Sequence, residues 1–155
     1  MSQPVFRHHW DINDVATALG ISPAAARDFF LDGRRGGHLI EEVAARHTGG
    51  VRAPSEKAPY DVIDSAGRRW EVRALTKNGV RFTPSIQTGG GREYDETRFL
   101  AKLDGVVGYY IANLTRFPDV PFYQLSSAQI RAWHTSDKMS KGRLTYLQAK
   151  ALFVD

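Results

Sequence analysis

Aromatic and β-branched residues gather in two short runs, Tyr60–Asp64 and Arg69–Leu75, with Ser65-Ala66-Gly67 between them. The pattern predicts two strands joined by a tight turn. A three-residue hairpin loop needs a type I turn followed by a left-handed residue, which Gly67 supplies. Upstream, Val15, Ala16, Leu19 and Ile21 are spaced for a short helix ended by Gly20. Ser22 and Pro23 then open a second helix through Leu31. His38–Thr48 reads as a third helix, with Leu39, Ile40, Val43, Ala44 and His47 toward the core. Residues 49–59 read as a loop and Val80–Thr83 as a strand. Glu93–Leu103 is expected to be a helix with Tyr94, Thr97, Phe99 and Leu100 inward and Arg98 and Lys102 outward. The near-continuous apolar run Gly105–Asn113 suits a buried central strand, parallel to its neighbour after a crossover helix. Phe122–Leu125 follows as a strand and Ala128–His134 as a short helix. Residues 135–143 read as a polar, basic loop, and Leu144–Val154 as a segment packing back on the body. The expected fold is α/β (or α+β), a mixed central sheet flanked by helices. It forms one domain over 1–155, with a helical part at 1–48 and the core at 49–155.

The loop length sets the hairpin register. Asp64 should face Arg68, and Asp61 should face Glu71, since cross-strand partners share a face. Side chains alternate along a strand, so Arg73 joins Glu71 and Asp61 on that face while Trp70 and Val72 take the other. Slipping the register by one residue would put Asp61 on the wrong side. Two carboxylates opposed across a hairpin repel, and a divalent cation resolves the conflict. Hard oxygen donors suit Mg²⁺, which takes one or two carboxylates together with waters and phosphate oxygens. A fixed positive charge two residues on suits a phosphate. This is a layout for metal-assisted phosphodiester hydrolysis; read blandly, it is a polar hairpin facing water.

Composition adds little. Charged residues make up 25% of the chain, as in ordinary soluble domains. No apolar run approaches the length of a membrane span, and the N-terminus lacks a signal-peptide pattern. The absence of cysteine excludes disulfides and thiolate metal sites and fits a cytoplasmic location. The net charge of +4 is a mild bias toward polyanions.

Asp61, followed ten residues later by Glu71-x-Arg73, resembles the motif of the PD-(D/E)xK nuclease superfamily. More narrowly, residues 61–73 are similar to the core hairpin of PvuII-type restriction endonucleases. The likeness extends upstream through Gly36-Gly37-His38-Leu39-Ile40 and downstream through Lys77–Phe82 to Tyr109-Tyr110. The resemblance implies a Mg²⁺-dependent type II restriction endonuclease, with Mn²⁺ as a substitute. It would be a homodimer cutting double-stranded DNA at a palindromic site, with N-terminal helices at the dimer interface. Asp61 and Glu71 would hold the metal, joined by a helical glutamate, Glu41 or Glu42. The chain departs from the family at position 73, where the family lysine is arginine. Arginine stays protonated and cannot serve as a base, though it binds phosphate in a bidentate manner. Either Arg73 stabilises the transition state, or Lys77 or another group takes over, or activity is weak or lost.

Candidate DNA contacts follow from charge and hydrogen-bonding capacity. Arg34 and Arg35 lie in a Gly-rich turn, and Arg81, Lys138, Lys141 and Arg143 suit phosphates. Ser85, Gln87, Thr88 and Arg92 suit base edges, in a region that enters the major groove in the resembled family. That family uses histidines there and this chain has none, so the target should differ. Glu56 lies five residues before Asp61 and is not expected to be a ligand; His8 and His9 sit in a loose N-terminal arm. The stretch 14–33 also resembles a helix-turn-helix. Its second helix offers mostly alanine with Arg27 and Asp28, which favours packing or dimerisation over base reading. The rival functions are a non-catalytic helix-turn-helix DNA-binding protein and a less specific nuclease acting on single strands or RNA.

Overall fold

The structure is a computed structural model that describes residues 1–31, 36–55, 57–84 and 93–154. Its elements in chain order are β1 (Phe6–His9), α1 (Ile12–Leu19), α2 (Pro23–Leu31), α3 (Gly37–His47), β2 (Val51–Arg52), β3 (Val62–Ile63) and β4 (Arg69–Leu75). There follow β5 (Val80–Arg81), α4 (Glu96–Asp104), β6 (Gly108–Asn113), β7 (Asp119–Ser126), α5 (Ser127–Thr135), β8 (Arg143–Leu144) and α6 (Tyr146–Leu152). The fold is mixed α+β. Six strands form one mixed sheet in the order β1-β7-β6-β4-β3-β2. β4 and β6 run parallel, joined by the α4 crossover, and the other pairs are antiparallel. Among the described residues, no helix is long and apolar enough to cross a membrane.

The hairpin register is the expected one. Val62 pairs with Trp70 and Ile63 with Arg69, which places Asp61 opposite Glu71. Asp64 N–H donates to Arg68 O (2.9 Å), and Gly67 has φ 78°. Asp64 does more than close the turn. One carboxylate oxygen accepts from the Ala66 and Arg68 N–H groups (both 2.9 Å). The other accepts from Arg68 Nε (2.8 Å) and Trp70 Nε1 (2.9 Å). Burial alone would raise its pKa, but these donors win and hold it at about 2.

The sheet buries both faces. Trp70, Val72, Tyr110, Ala112, Val120 and Phe122 pack with Phe30 of α2 and with Ile40, Val43 and Ala44 of α3. Leu75, Tyr109, Ile111, Tyr123 and Leu125 pack with Phe99 and Leu103 of α4 and with Ile130 and Trp133 of α5. The alternation along β4 therefore sends Glu71 and Arg73 to the α4 side. β6 is buried at every position, as its apolar run requires.

Leu39 and His47 of α3 and Thr97 of α4, expected toward the core, are exposed, and three segments also differ from expectation. The N-terminal arm is not loose: β1 is an edge strand on β7, with Phe6 opposite Phe122. Phe6 stacks between His47 (3.7 Å) and Phe122 (4.4 Å), contacts that only the folded chain supplies. Val80–Arg81 does not extend the hairpin sheet but pairs with β8, within the stretch read as an exposed loop at 135–143 and just beyond it. Met139 and Leu144, 3% and 0% exposed, anchor that stretch in the core. Finally, Val51–Arg52, read as loop, forms a short edge strand on β3.

Replacing Asp64 with Ala leaves the Trp70 indole and two backbone N–H groups without their acceptor. The expected loss is about 2–4 kcal/mol of unfolding free energy in urea titrations. The native pKa of Asp64 lies below the unfolded value of 3.8, so its contribution is complete above pH 3.8 and lost as pH falls toward 2. The wild-type advantage over Asp64→Ala should shrink across that window and stay constant from pH 5 to 7.

Candidate active site

Asp61, Glu71 and Arg73 converge as the register requires, in a cleft of about 650 Å³ that also takes in His38, Glu41, Arg52, Tyr60 and Lys102. Arg73 lies between the two carboxylates. Its Nη1 is 3.2 Å from Asp61 Oδ2 and its Nη2 is 2.5 Å from Glu71 Oε2. Asp61 Oδ2 also accepts from the Val72 N–H (2.8 Å), which ties the carboxylate to the β4 backbone. The repulsion expected between the opposed carboxylates is thus relieved by a guanidinium.

Lys102 does not point outward as its place on the helix suggests. Instead its ammonium pairs with Glu71 Oε1 and donates to the Pro59 carbonyl (2.8 Å). The signal lay in the helix period. Lys102 is three residues after buried Phe99, so it borders the buried stripe, and its long stem reaches past that stripe to the sheet.

Glu71 is 1% exposed. Burial raises its pKa, the nearby Asp61 charge adds to the rise, and Arg73 and Lys102 pull against both; the net shift is upward. Each of its oxygens is taken by one cation, Oε2 by Arg73 and Oε1 by Lys102. For Arg73, burial opposes the charge, but Glu71 and Asp61 outweigh it and keep the guanidinium protonated. On the far wall, Glu41 is held by Arg52 Nε (3.2 Å) and Nη2 (3.1 Å). Arg52 also donates to His38 Nδ1 (2.6 Å). Burial raises the Glu41 pKa, and the Asp61 charge raises it further. Glu42 faces away, paired with Arg46 (3.3 Å), so of the two helical glutamates only Glu41 looks into the cleft.

The remaining sequence candidates separate. Lys77 is exposed at the turn after β4 and does not line this cleft. Arg81, Lys141 and Arg143 line a second cleft, while Lys138 is exposed outside both. Arg34, Arg35, Glu56, Ser85, Gln87, Thr88 and Arg92 lie outside the described residues. Of the two groups on the would-be recognition helix, Arg27 is engaged with the Phe117 carbonyl (2.9 Å). That engagement weighs against base reading by α2.

No protein-family model matches the chain, and no curated protein matches it.

Two carboxylates meet the donor count that Mg²⁺ ordinarily takes from a protein. Arg73 and Lys102 now occupy the Glu71 oxygens, so a divalent cation there would have to displace or share these ionic partners. Among the described residues, no three His, Asp or Glu side chains gather closely enough to form a metal cage unaided. Water and phosphate oxygens would have to complete the coordination.

Lys102→Met leaves buried Glu71 with Arg73 as its one cationic contact. The variant should lose about 2–3 kcal/mol at pH 8. With one cation gone, the folded-state pKa of Glu71 rises further above its unfolded value. A raised carboxyl pKa means that stability is retained at low pH and lost as pH rises through it. Urea titrations should therefore show a smaller penalty at pH 5 than at pH 8, and adding Glu71→Gln should recover much of the loss.

Proposed function

We propose that the chain is a divalent-cation-dependent endonuclease that hydrolyses phosphodiester bonds of double-stranded DNA. On this reading it is a type II restriction enzyme that works as a homodimer on a palindromic site. The observation carrying the proposal is the meeting of Asp61 and Glu71 across the hairpin, with Arg73 and Lys102 beside them in one cleft. Carboxylates for a hard cation and two cations for phosphate oxygens are the groups that phosphodiester hydrolysis requires.

Asp61 and Glu71 would hold the Mg²⁺, with Glu41 next to them on the cleft wall. When bound, the cation supplies Lewis-acid polarisation of the phosphoryl group and lowers the pKa of water. Arg73, permanently protonated, binds and orients phosphate oxygens and stabilises charge as it builds up. Its present contacts with both carboxylates mark where positive charge is needed. Lys102 is an amine at the site, delivered by α4 instead of β4, and on this reading it would take the role considered for Lys77. Double-stranded DNA as substrate is supported by the basic balance of the chain and by a second cationic cleft beside β5 and β8. For the homodimer, Leu19 at the end of α1, Ile21 just after it and Leu39 on α3 provide exposed apolar side chains. A two-fold arrangement would bring one cleft to each strand.

The test is digestion of unmodified phage DNA with Mg²⁺, Mn²⁺ or chelator, using wild type and Asp61→Ala in parallel. Discrete cation-dependent fragments are expected, with the rate falling at least about 100-fold in the variant. Smears from duplex, or cleavage confined to single strands or RNA, would replace site-specific cutting with a general nuclease. Intact DNA with either cation across pH 6–9, together with binding that survives Asp61→Ala, would leave a DNA-binding protein in its place.

A further inference from the structure

The second cleft, of about 770 Å³, lies where β5 and β8 meet the start of α4. Arg81 and Arg143 are direct partners across this two-stranded ladder, and Lys141 stands on the same wall. Like charges directly opposite on a sheet destabilise it. Among the described residues, neither arginine pairs with a carboxylate. Glu93 is the one acidic side chain lining the cleft among the described residues, against three cations.

The donors there are incompletely used. Arg143 Nη2 donates to the Asn78 carbonyl (2.7 Å), yet its Nε is buried without a partner. The Tyr94 hydroxyl is buried without a partner too. Burial raises the Tyr94 pKa, and Glu96 and Asp95 raise it further, so near neutrality the hydroxyl is a donor. A buried donor left unsatisfied is destabilising. Three cations around a cleft with one lining carboxylate among the described residues leave a positive surface, and an oxyanion with several acceptor oxygens would neutralise it and relieve the arginine repulsion. Phosphate fits that description, and arginine suits it best among the basic side chains.

We propose that this cleft is a phosphate-binding site, and that it takes a backbone phosphate of the same nucleic-acid strand that enters the first cleft. The second half of the proposal rests on the nuclease reading above. Helix α4 supplies the ruler. Tyr94 lies just before its N-cap Asp95 and Lys102 is in its last turn, eight residues on. The helical stretch between them, from Glu96 to Lys102, rises about 9 Å.

The experiment follows the arginine Nε–Hε signals of the ¹⁵N-labelled full chain by NMR without divalent cation, first with inorganic phosphate and then with a short DNA duplex. It needs no cleavage. The Arg143 signal should move saturably with both probes. Tyr94→Phe, which keeps the ring, should weaken phosphate binding about 5–10-fold. Arg81→Gln should lower the slope of log affinity for duplex against log salt by about one. An Arg143 signal unmoved by either probe overturns the site. Movement with inorganic phosphate but not with duplex overturns the strand contact and identifies the ligand as free phosphate or a mononucleotide. Phosphate and duplex binding that persist in a chain unable to cut DNA leave the site standing and remove the nuclease reading alone.

Discussion

The Asp64 carboxylate, sunk under the Trp70 indole and saturated by donors from its own turn, is the contact on which the site geometry depends. It makes one register of the β3–β4 hairpin far better than its neighbours. A shift of one residue would expose the Trp70 ring and strand the carboxylate away from the Ala66 and Arg68 N–H groups. The same shift would turn Asp61 away from Glu71. Registry and chemistry are thus specified by one polar interaction a few residues from the cleft.

The hairpin then uses the two faces of the sheet differently. Trp70 and Val72 join the core beneath α3, while Glu71 and Arg73 emerge beneath α4. A carboxylate this deeply buried carries a desolvation cost that only close cations offset. Arg73 comes from the adjacent position on the same face, and Lys102 from a helix about 30 residues away in the chain. The cleft is therefore a compact assembly of opposite charges, poised for ligands that exchange one set of ionic partners for another. On the proposed reading, a phosphodiester with a divalent cation would be such a ligand, Asp61 and Glu71 holding the cation and Arg73 and Lys102 the phosphate oxygens.

Charge imbalance separates the second cleft from the first. In the first, every buried charge has an opposite partner. In the second, two facing arginines and a lysine meet a single exposed glutamate, and two buried donors lack acceptors. The first arrangement suits a site where bonds are rearranged, and the second a site that holds an anion in position. Their common connection to α4 gives the two clefts a fixed spacing, which an extended polyanion can span.

What could be read from the residues alone was local. The turn at Ser65-Ala66-Gly67, the register that follows from its length, the sharing of a face by Asp61, Glu71 and Arg73, and the helices opened by Pro23 and closed by Gly20 all depend on neighbours within a dozen positions. The buried, parallel β6 was legible too, because only a strand covered on both sides tolerates so continuous an apolar run. The folded chain alone decided the pairing of β1 with β7 and of β5 with β8, whose partners lie more than 60 residues apart and leave no periodic trace in either segment. It also decided which way Lys102 turns. On its helix, Lys102 stands at the margin between the apolar stripe and solvent, where the period permits either direction. Its direction was settled by a buried carboxylate on β4, which lowers the energy of any ammonium that can reach it.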